Sequence, residues 1–222
     1  MKTICHRDYT IKQYNYDEPD EDLLETLAEI TRAAFAEYSK DNINFRGVDM
    51  SADLLNRSIR RTEQTVFVLE KEGKPVAYCR GYMAASGGQA FLHCEGVAVH
   101  PSCRRQGLAE ALTGERERWG KSQGAAYAVL NTSVKATKAK RFHHSHGYKD
   151  YGYTHFEGKR YLSVLMRKDY GEPYPETRRR IGLVKSWLLM RLLFTRNGED
   201  RLWHRVKDKL LGKGVFQRRG KR

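Results

Sequence analysis

The chain has 222 residues, 40% of them hydrophobic and 31% charged, with a formal net charge of +14. That length and balance suit one soluble globular domain with a real core, plus an appendage. No apolar run approaches the roughly 20 residues that span a bilayer, and the start at Met1–Asp8 has no apolar stretch for a secretory leader. Neither a transmembrane protein nor an exported one is expected.

The charge is unevenly placed. Residues 171–222 hold 15 Lys/Arg against 5 Asp/Glu, a net of +10, which leaves only +4 for the other 170 residues. Pro173 and Pro175 interrupt any regular element at the same point. The expected organisation is therefore a domain over 1–170 and a basic extension over 171–222. The four cysteines, Cys5, Cys79, Cys94 and Cys103, show no C-x-x-C spacing, so a reduced, cytoplasmic protein without a zinc knuckle or redox pair is the natural reading.

In chain order, a short strand at Tyr9–Tyr14 precedes a helix that Asp20 can cap, with Leu23, Leu24, Leu27, Ile30, Ala34 and Phe35 at helical spacing. Ser51 can cap a second helix carrying Leu54, Leu55 and Ile59. Gln64–Lys71 and Pro75–Met83, joined through Glu72-Gly73-Lys74, read as a hairpin. A strand over Gln89–His100 leads into a helix from about Arg105 to Gln123. A strand at Tyr127–Thr132 and a helix ending at His146-Gly147 follow, where the glycine suits a C-terminal cap. Strands at Lys149–Tyr153 and Arg160–Arg167 close the domain. This order predicts a mixed α/β (α+β) fold, an antiparallel meander feeding a strand–helix–strand–helix unit, with part of the sheet parallel because crossover helices require it.

Glu95–Ala109 carries most of the chemical information. A β-branched strand runs into a basic, glycine-containing loop that opens a helix, and such a loop aims free backbone N–H groups and the positive helix end at one point. That suits a pyrophosphate. Gly107 permits close approach, Ala109 leaves room against the helix, and Arg104 and Arg105 add charge. With Val97-Ala98-Val99-His100-Pro101 before it, Arg104–Ala109 fits [RQ]-x-x-G-x-[GA] and resembles the acetyl-CoA loop of the GNAT superfamily of N-acetyltransferases. Ala139–Tyr148, which closes on a Gly-aromatic pair, is similar to that family's penultimate helix. The resemblance covers roughly 9–168.

The resemblance implies a mostly antiparallel sheet with a splayed parallel pair, here Gln89–His100 and Tyr127–Thr132, flanked by helices. It implies that acetyl-CoA lies with its pantetheine arm along Val97, Ala98 and Val99. Its pyrophosphate would lie on Arg104, Arg105, Gln106, Gly107, Leu108 and Ala109. Acetyl transfer to an amine needs a base, a polarised carbonyl and a proton for the leaving thiolate, with no Ser or Cys nucleophile. Glu95 is the first candidate base and His93 the second. The family's helix usually carries a Tyr as acid and an Asn against the cofactor. In this chain His143 stands at the Tyr position and Ala136 at the Asn position, so His143 is the candidate acid, with water, Tyr148 or Tyr151 as alternatives. His143 and His146 have no carboxylate or Cys at ligand spacing, and no metal is expected.

The expected reaction is acetyl transfer from acetyl-CoA to a primary amine on a small molecule, an amino sugar or a peptide. Phe35, Tyr38, Asn42, Asn44, Phe45, Arg46, Tyr151, Tyr153, His155 and Phe156 are the candidate acceptor-side residues. The rival reading is a noncatalytic CoA-binding or scaffold module whose basic tail does the work. In the tail, Ile181–Phe194 is apolar among basic residues, and Leu202, Trp203, Val206 and Leu210 share one helical face. Packing on the domain or across a homodimer, an anionic membrane surface along 178–222, and nucleic acid in third place are the open partners. A location in the cytoplasm, with a peripheral place at the inner membrane surface, goes with the second of these.

Overall fold

The computed structural model describes residues 2–5, 8–41, 45–156 and 161–193. The second basic piece of the tail, from Phe194 onward, and Asn42 and Asn44 lie outside the described residues. The chain divides into two compact units, one of Met1–Leu130 with Lys168–Glu172 and one of Asn131–Arg167 with Pro173–Arg222.

In the first unit six neighbouring strands run in the order β1 (Lys2–Cys5), β2 (Thr10–Tyr14), β3 (Thr65–Lys71), β4 (Lys74–Ser86), β5 (Gln89–Val99) and β6 (Tyr127–Ser133, whose last three residues belong to the second unit). Each neighbouring pair from β1 to β5 is antiparallel, and β5 and β6 are parallel. The expected mixed sheet with one parallel pair is thus present. The parallel ladder is short. It joins Phe91 to Tyr127, Leu92 to Ala128 and His93 to Val129, whereas β5 continues to Val99.

Helices cover both faces of this sheet. In α1 (Glu21–Phe35) the Asp20 carboxylate accepts the Leu23 N–H at 2.8 Å, and Glu21 and Asp22 complement the positive end. In α2 (Ala52–Arg61) Ser51 accepts the Leu54 N–H at 3.2 Å. Leu24, Leu27, Ile30, Leu55 and Ile59 from these helices pack with Val66, Val68, Tyr78 and Ala98. On the other face, Leu108 and Leu112 of α3 (Leu108–Ser122) join Ile11, Phe67, Leu69, Ala77 and Cys79. Because β3 has apolar contacts on both faces, Thr65–Glu70 is buried throughout. Gly120 of α3 sits so close to the sheet that an added Cβ would lie 2.8 Å from Leu92 Cδ2.

The second unit holds α4 (Thr137–Ser145), the antiparallel pair β7 (Lys149–Thr154) and β8 (Ser163–Asp169, whose last two residues belong to the first unit), and α5 (Glu176–Leu193). Several elements differ from expectation: β4 extends to Ser86, past Met83, and the last strand runs Ser163–Asp169 instead of Arg160–Arg167. α3 begins at Leu108 instead of Arg105, because Arg105 and Gly107 have φ of +60 and +75 and cannot continue a helical turn. β1, four residues long, is too short to stand out in the sequence.

Candidate active site

The site is built around a defect in β5. Cys79 pairs with Val97 and Arg80 with Glu95, so Gly96 is the extra residue of a β-bulge, at φ +32. The bulge changes which face each side chain takes. Before it, His93 stacks on Tyr82 with ring centroids 4.8 Å apart, and Glu95 lies opposite Arg80, whose guanidinium reaches α2. Both therefore face the α1–α2 side. After it, Val97 and Val99 pack against the cluster under α3, and Ala98 against the α1–α2 core. Simple alternation over two residues would put Glu95 and Val97 on one face; the extra residue separates them.

Two buried arginines hold the bulge. Arg116 of α3, 1% exposed, donates through Nη1 to the carbonyls of Arg80 at 3.1 Å and Glu95 at 3.3 Å, the pair that flanks the defect. Arg80, also buried, donates to Gln64 Oε1 at 2.8 Å and Ser58 Oγ at 3.1 Å. Its guanidinium lies 3.6 Å from where a Cβ on Gly96 would sit. Sequence reasoning missed both arginines, since a basic residue on a helix or strand reads as a solvated side chain.

Glu95 and His93 form a graded pair. His93 is buried, the Glu95 side chain is about a third exposed, and Nδ1 lies 3.6 Å from Oε1, within ion-pair range but beyond a normal hydrogen bond. The one side chain is locked by a ring stack and the other reaches solvent.

The loop from His100 to Gly107 feeds α3. A short turn at Pro101–Cys103 is closed by His100 Nδ1, 2.7 Å from Ser102 Oγ. Gly107 is the N-cap of α3, in the left-handed region, and offers no side chain to accept the first helical N–H groups. Those donors have no acceptor within the helix either, so an anion is the partner they are shaped for. A Cβ at Gly107 would have no atom within 4 Å, which leaves room for a bound group against the backbone. Arg105, Gln106 and Gly107 are exposed, Ala109 is half-buried, and the buried Leu108 side chain anchors the helix in the core.

The side chains of the loop are directed elsewhere. Arg104 donates to Glu37 Oε1 at 3.1 Å and to the Ala34 carbonyl at 2.8 Å, tying the loop to the end of α1. Gln106 Oε1 accepts from Lys71 Nζ at 2.6 Å. The loop therefore presents main-chain donors, with Arg105 as its exposed cation.

In the second unit, α4 closes at Gly147 through bonds from the N–H groups of His146, Gly147 and Tyr148 to the carbonyls of Phe142, His143 and His144. The half-buried His143 ring packs edge-on to Tyr148 with centroids 5.7 Å apart. His144 Nε2 lies 2.8 Å from Asp150 Oδ1, and His146 Nδ1 lies 2.7 Å from the Phe142 carbonyl, so the three histidines have three separate partners. Among the described residues no group of three His, Cys, Asp or Glu converges on a point that could hold an ion. Ala136 is buried at the N-cap of α4.

Of the described cysteines, Cys79 is fully buried and burial pushes its thiol up to about 12, which keeps it protonated at neutral pH and unsuited to nucleophilic attack. Phe35, the last residue of α1, forms a contiguous aromatic cluster with Tyr38 and Phe45, with centroids 4.9 to 5.7 Å apart.

Residues 23–148 match the family model described as the acetyltransferase (GNAT) family. The chain belongs to that family. GNAT folds are also what the solved structures show. The PaiA N-acetyltransferase of Thermoplasma acidophilum, in complex with coenzyme A, is 17% identical with a TM-score of 0.55, covering 72% of this chain and 99% of its own. yncA of Salmonella typhimurium, with its cofactor acetyl-CoA, is 17% identical with a TM-score of 0.55, covering 74% and 96%. An aminoglycoside 6'-acetyltransferase type Ii is 17% identical with a TM-score of 0.54, covering 74% and 99%. No curated protein matches the chain in sequence. Against the GNAT frame, β5 and β6 are the parallel pair, and the loop at Arg104–Ala109 lies between strand and helix as the resemblance implies.

Proposed function

We propose that this GNAT protein moves an acetyl group from acetyl-CoA to a primary amine by direct attack of the amine on the thioester. The observation that carries the reading is the bulged β5 running into an α3 whose first N–H groups have no side-chain cap. Those donors and Arg105 would hold the pyrophosphate. Val97, Ala98 and Val99, beyond the end of the parallel ladder at His93, would offer backbone to the pantetheine arm. Acetyl-CoA supplies an activated acyl group, so no enzyme nucleophile is required.

Glu95 is the base. Its partly exposed carboxylate takes the proton of the incoming amine, while the buried His93 beside it fixes its setting. His143 donates a proton to the sulfur as the carbon–sulfur bond breaks. The aromatic cluster of Phe35, Tyr38 and Phe45 suits the acceptor side, since ring faces favour a cationic amine.

Thermal unfolding with and without acetyl-CoA tests the binding half. Ligand at 100 times its dissociation constant adds about 2.7 kcal/mol, a clear rise in melting temperature, and no rise at millimolar ligand would favour the noncatalytic reading. Glu95→Gln tests the chemical half. Turnover with an amine acceptor should fall about 100-fold or more with acetyl-CoA affinity unchanged, and full turnover would remove Glu95 from the mechanism.

A further inference from the structure

α5 has a seated inner side and an apolar outer side. Its inner side is seated on β7: Ser186 Oγ accepts the Tyr153 N–H at 3.0 Å, Arg179 donates to the Asp150 carbonyl at 2.9 Å, and Met190 is buried. Gly182 approaches so closely that a Cβ there would lie 3.0 Å from the Tyr151 carbonyl. These contacts fix the rotation of the helix about its axis. The outer side carries Ile181, Val184, Trp187 and Leu188, which are 47%, 57%, 42% and 48% exposed. Positions 181, 184 and 188 recur at helical spacing, so these side chains form one ridge. No helix among the described residues is long and apolar enough to cross a membrane.

Cations border that ridge. Arg180 lies toward one flank and Arg178 and Lys185 toward the other, and all three are exposed. Glu176 is the helix's only acid, and it is neutralised by Arg179 and Arg180, whose guanidinium groups hold its carboxyl at about 2. The helix carries five Lys/Arg against that one acid. Residues 194–222 add ten Lys/Arg against three Asp/Glu, with Leu202, Trp203, Val206 and Leu210 in their sequence.

We propose that the outer face of α5 docks on an anionic lipid membrane. A convex apolar ridge with Trp at its edge and cations on both flanks matches a bilayer surface, where acyl chains lie beneath a layer of phosphates. Isoleucine, valine and leucine enter the apolar layer, and the arginine and lysine stems lie along it with their charges at the phosphates. A polyanion such as RNA would need the cations at the centre of the face, where this helix places its aliphatic residues. The proposal stands apart from acetyl transfer and survives or fails without it.

Flotation of the full chain with vesicles of phosphatidylcholine alone, and of phosphatidylcholine mixed with phosphatidylglycerol, tests it. Recovery with the mixed vesicles, and its loss at high salt, is expected. Val184→Gln with Leu188→Gln should weaken partitioning about tenfold or more, and Arg178→Glu with Lys185→Glu by at least about fivefold per charge. Each melting temperature should stay near wild type. If the first pair does not fold, Ile181→Gln with Trp187→Gln replaces it. The proposal is overturned by no recovery with anionic vesicles, by equal recovery with neutral ones, or by full binding in the ridge variants. It is equally overturned if the ridge variants abolish a dimer seen by sedimentation, or retention on RNA, in a protein that floats with neither vesicle.

Discussion

Gly107 and Gly147 share a left-handed backbone, with φ of +75 and +85, but one opens a helix and the other closes one. Before α3, the glycine leaves the first-turn N–H groups with no side-chain acceptor. After α4, the turn satisfies the carbonyls of Phe142, His143 and His144 within the chain. The first region leaves main-chain donors open; the second has its main chain closed and leaves side chains such as His143 as its variable groups. On the proposed mechanism, function in the first is therefore lost by changing backbone shape or local charge, and in the second by changing one functional group.

The largest expected effect is at the first glycine. Gly107→Glu forces a β-carbon into a left-handed residue, at a cost of about 1–2 kcal/mol, and sets a carboxylate where an anion should bind. The stabilisation by acetyl-CoA should vanish from thermal unfolding, while the unliganded protein still melts cooperatively. Next is His143→Phe, which keeps a ring edge against Tyr148 but carries no proton. Turnover should drop about 100-fold with little change in acetyl-CoA affinity; a loss of affinity instead would break the contrast between the regions.

Arg116→Met removes the donor from one buried and one half-buried carbonyl at the bulge and should lower stability by about 2 kcal/mol, read from the urea midpoint. The smallest effect sharpens the contrast most. Arg104 is committed to Glu37 and the Ala34 carbonyl, so Arg104→Ala should weaken acetyl-CoA binding by less than about fivefold in a titration. A far larger loss would mean that the guanidinium swings to the ligand, and that side chains as well as main chain recognise it.

What was legible in the sequence was what neighbours in the chain decide. Asp20 and Ser51 cap the helices expected of them, because a cap acts over three residues. The Glu72-Gly73 turn joins its two strands through a pair of left-handed residues. The bulge at Gly96 was not legible, because it exists only in the pairing of β5 with Cys79 and Arg80. The same holds for the destination of Arg104, whose partner Glu37 lies 67 residues away. A sequence pattern records that Arg104 is basic, while the carbonyl and carboxylate it meets come from α1 and the turn after it. Arg116 was hidden for a related reason: only the fold supplies the carbonyls that make a buried guanidinium tolerable.

The close seat of Gly120 on Leu92 has a consequence for the opposite end of the same helix. α3 is a rod of 15 residues, about 22 Å long, and Gly120 lies about 20 Å from the N-cap. Leu92 has no exposed surface and sits next to His93 in β5. A methyl group at position 120 would meet Leu92 Cδ2 at 2.8 Å and its Cβ at 3.1 Å, so the Leu92 side chain must turn within a packed core or the rod must shift to admit it. A stiff rod pushed outward at Gly120 levers about Leu112, its fully buried contact with the core, and Gly107 swings the opposite way. A disturbance of the loop before α3 can thus arise from the far end of the helix, and a screen confined to the loop would never find it.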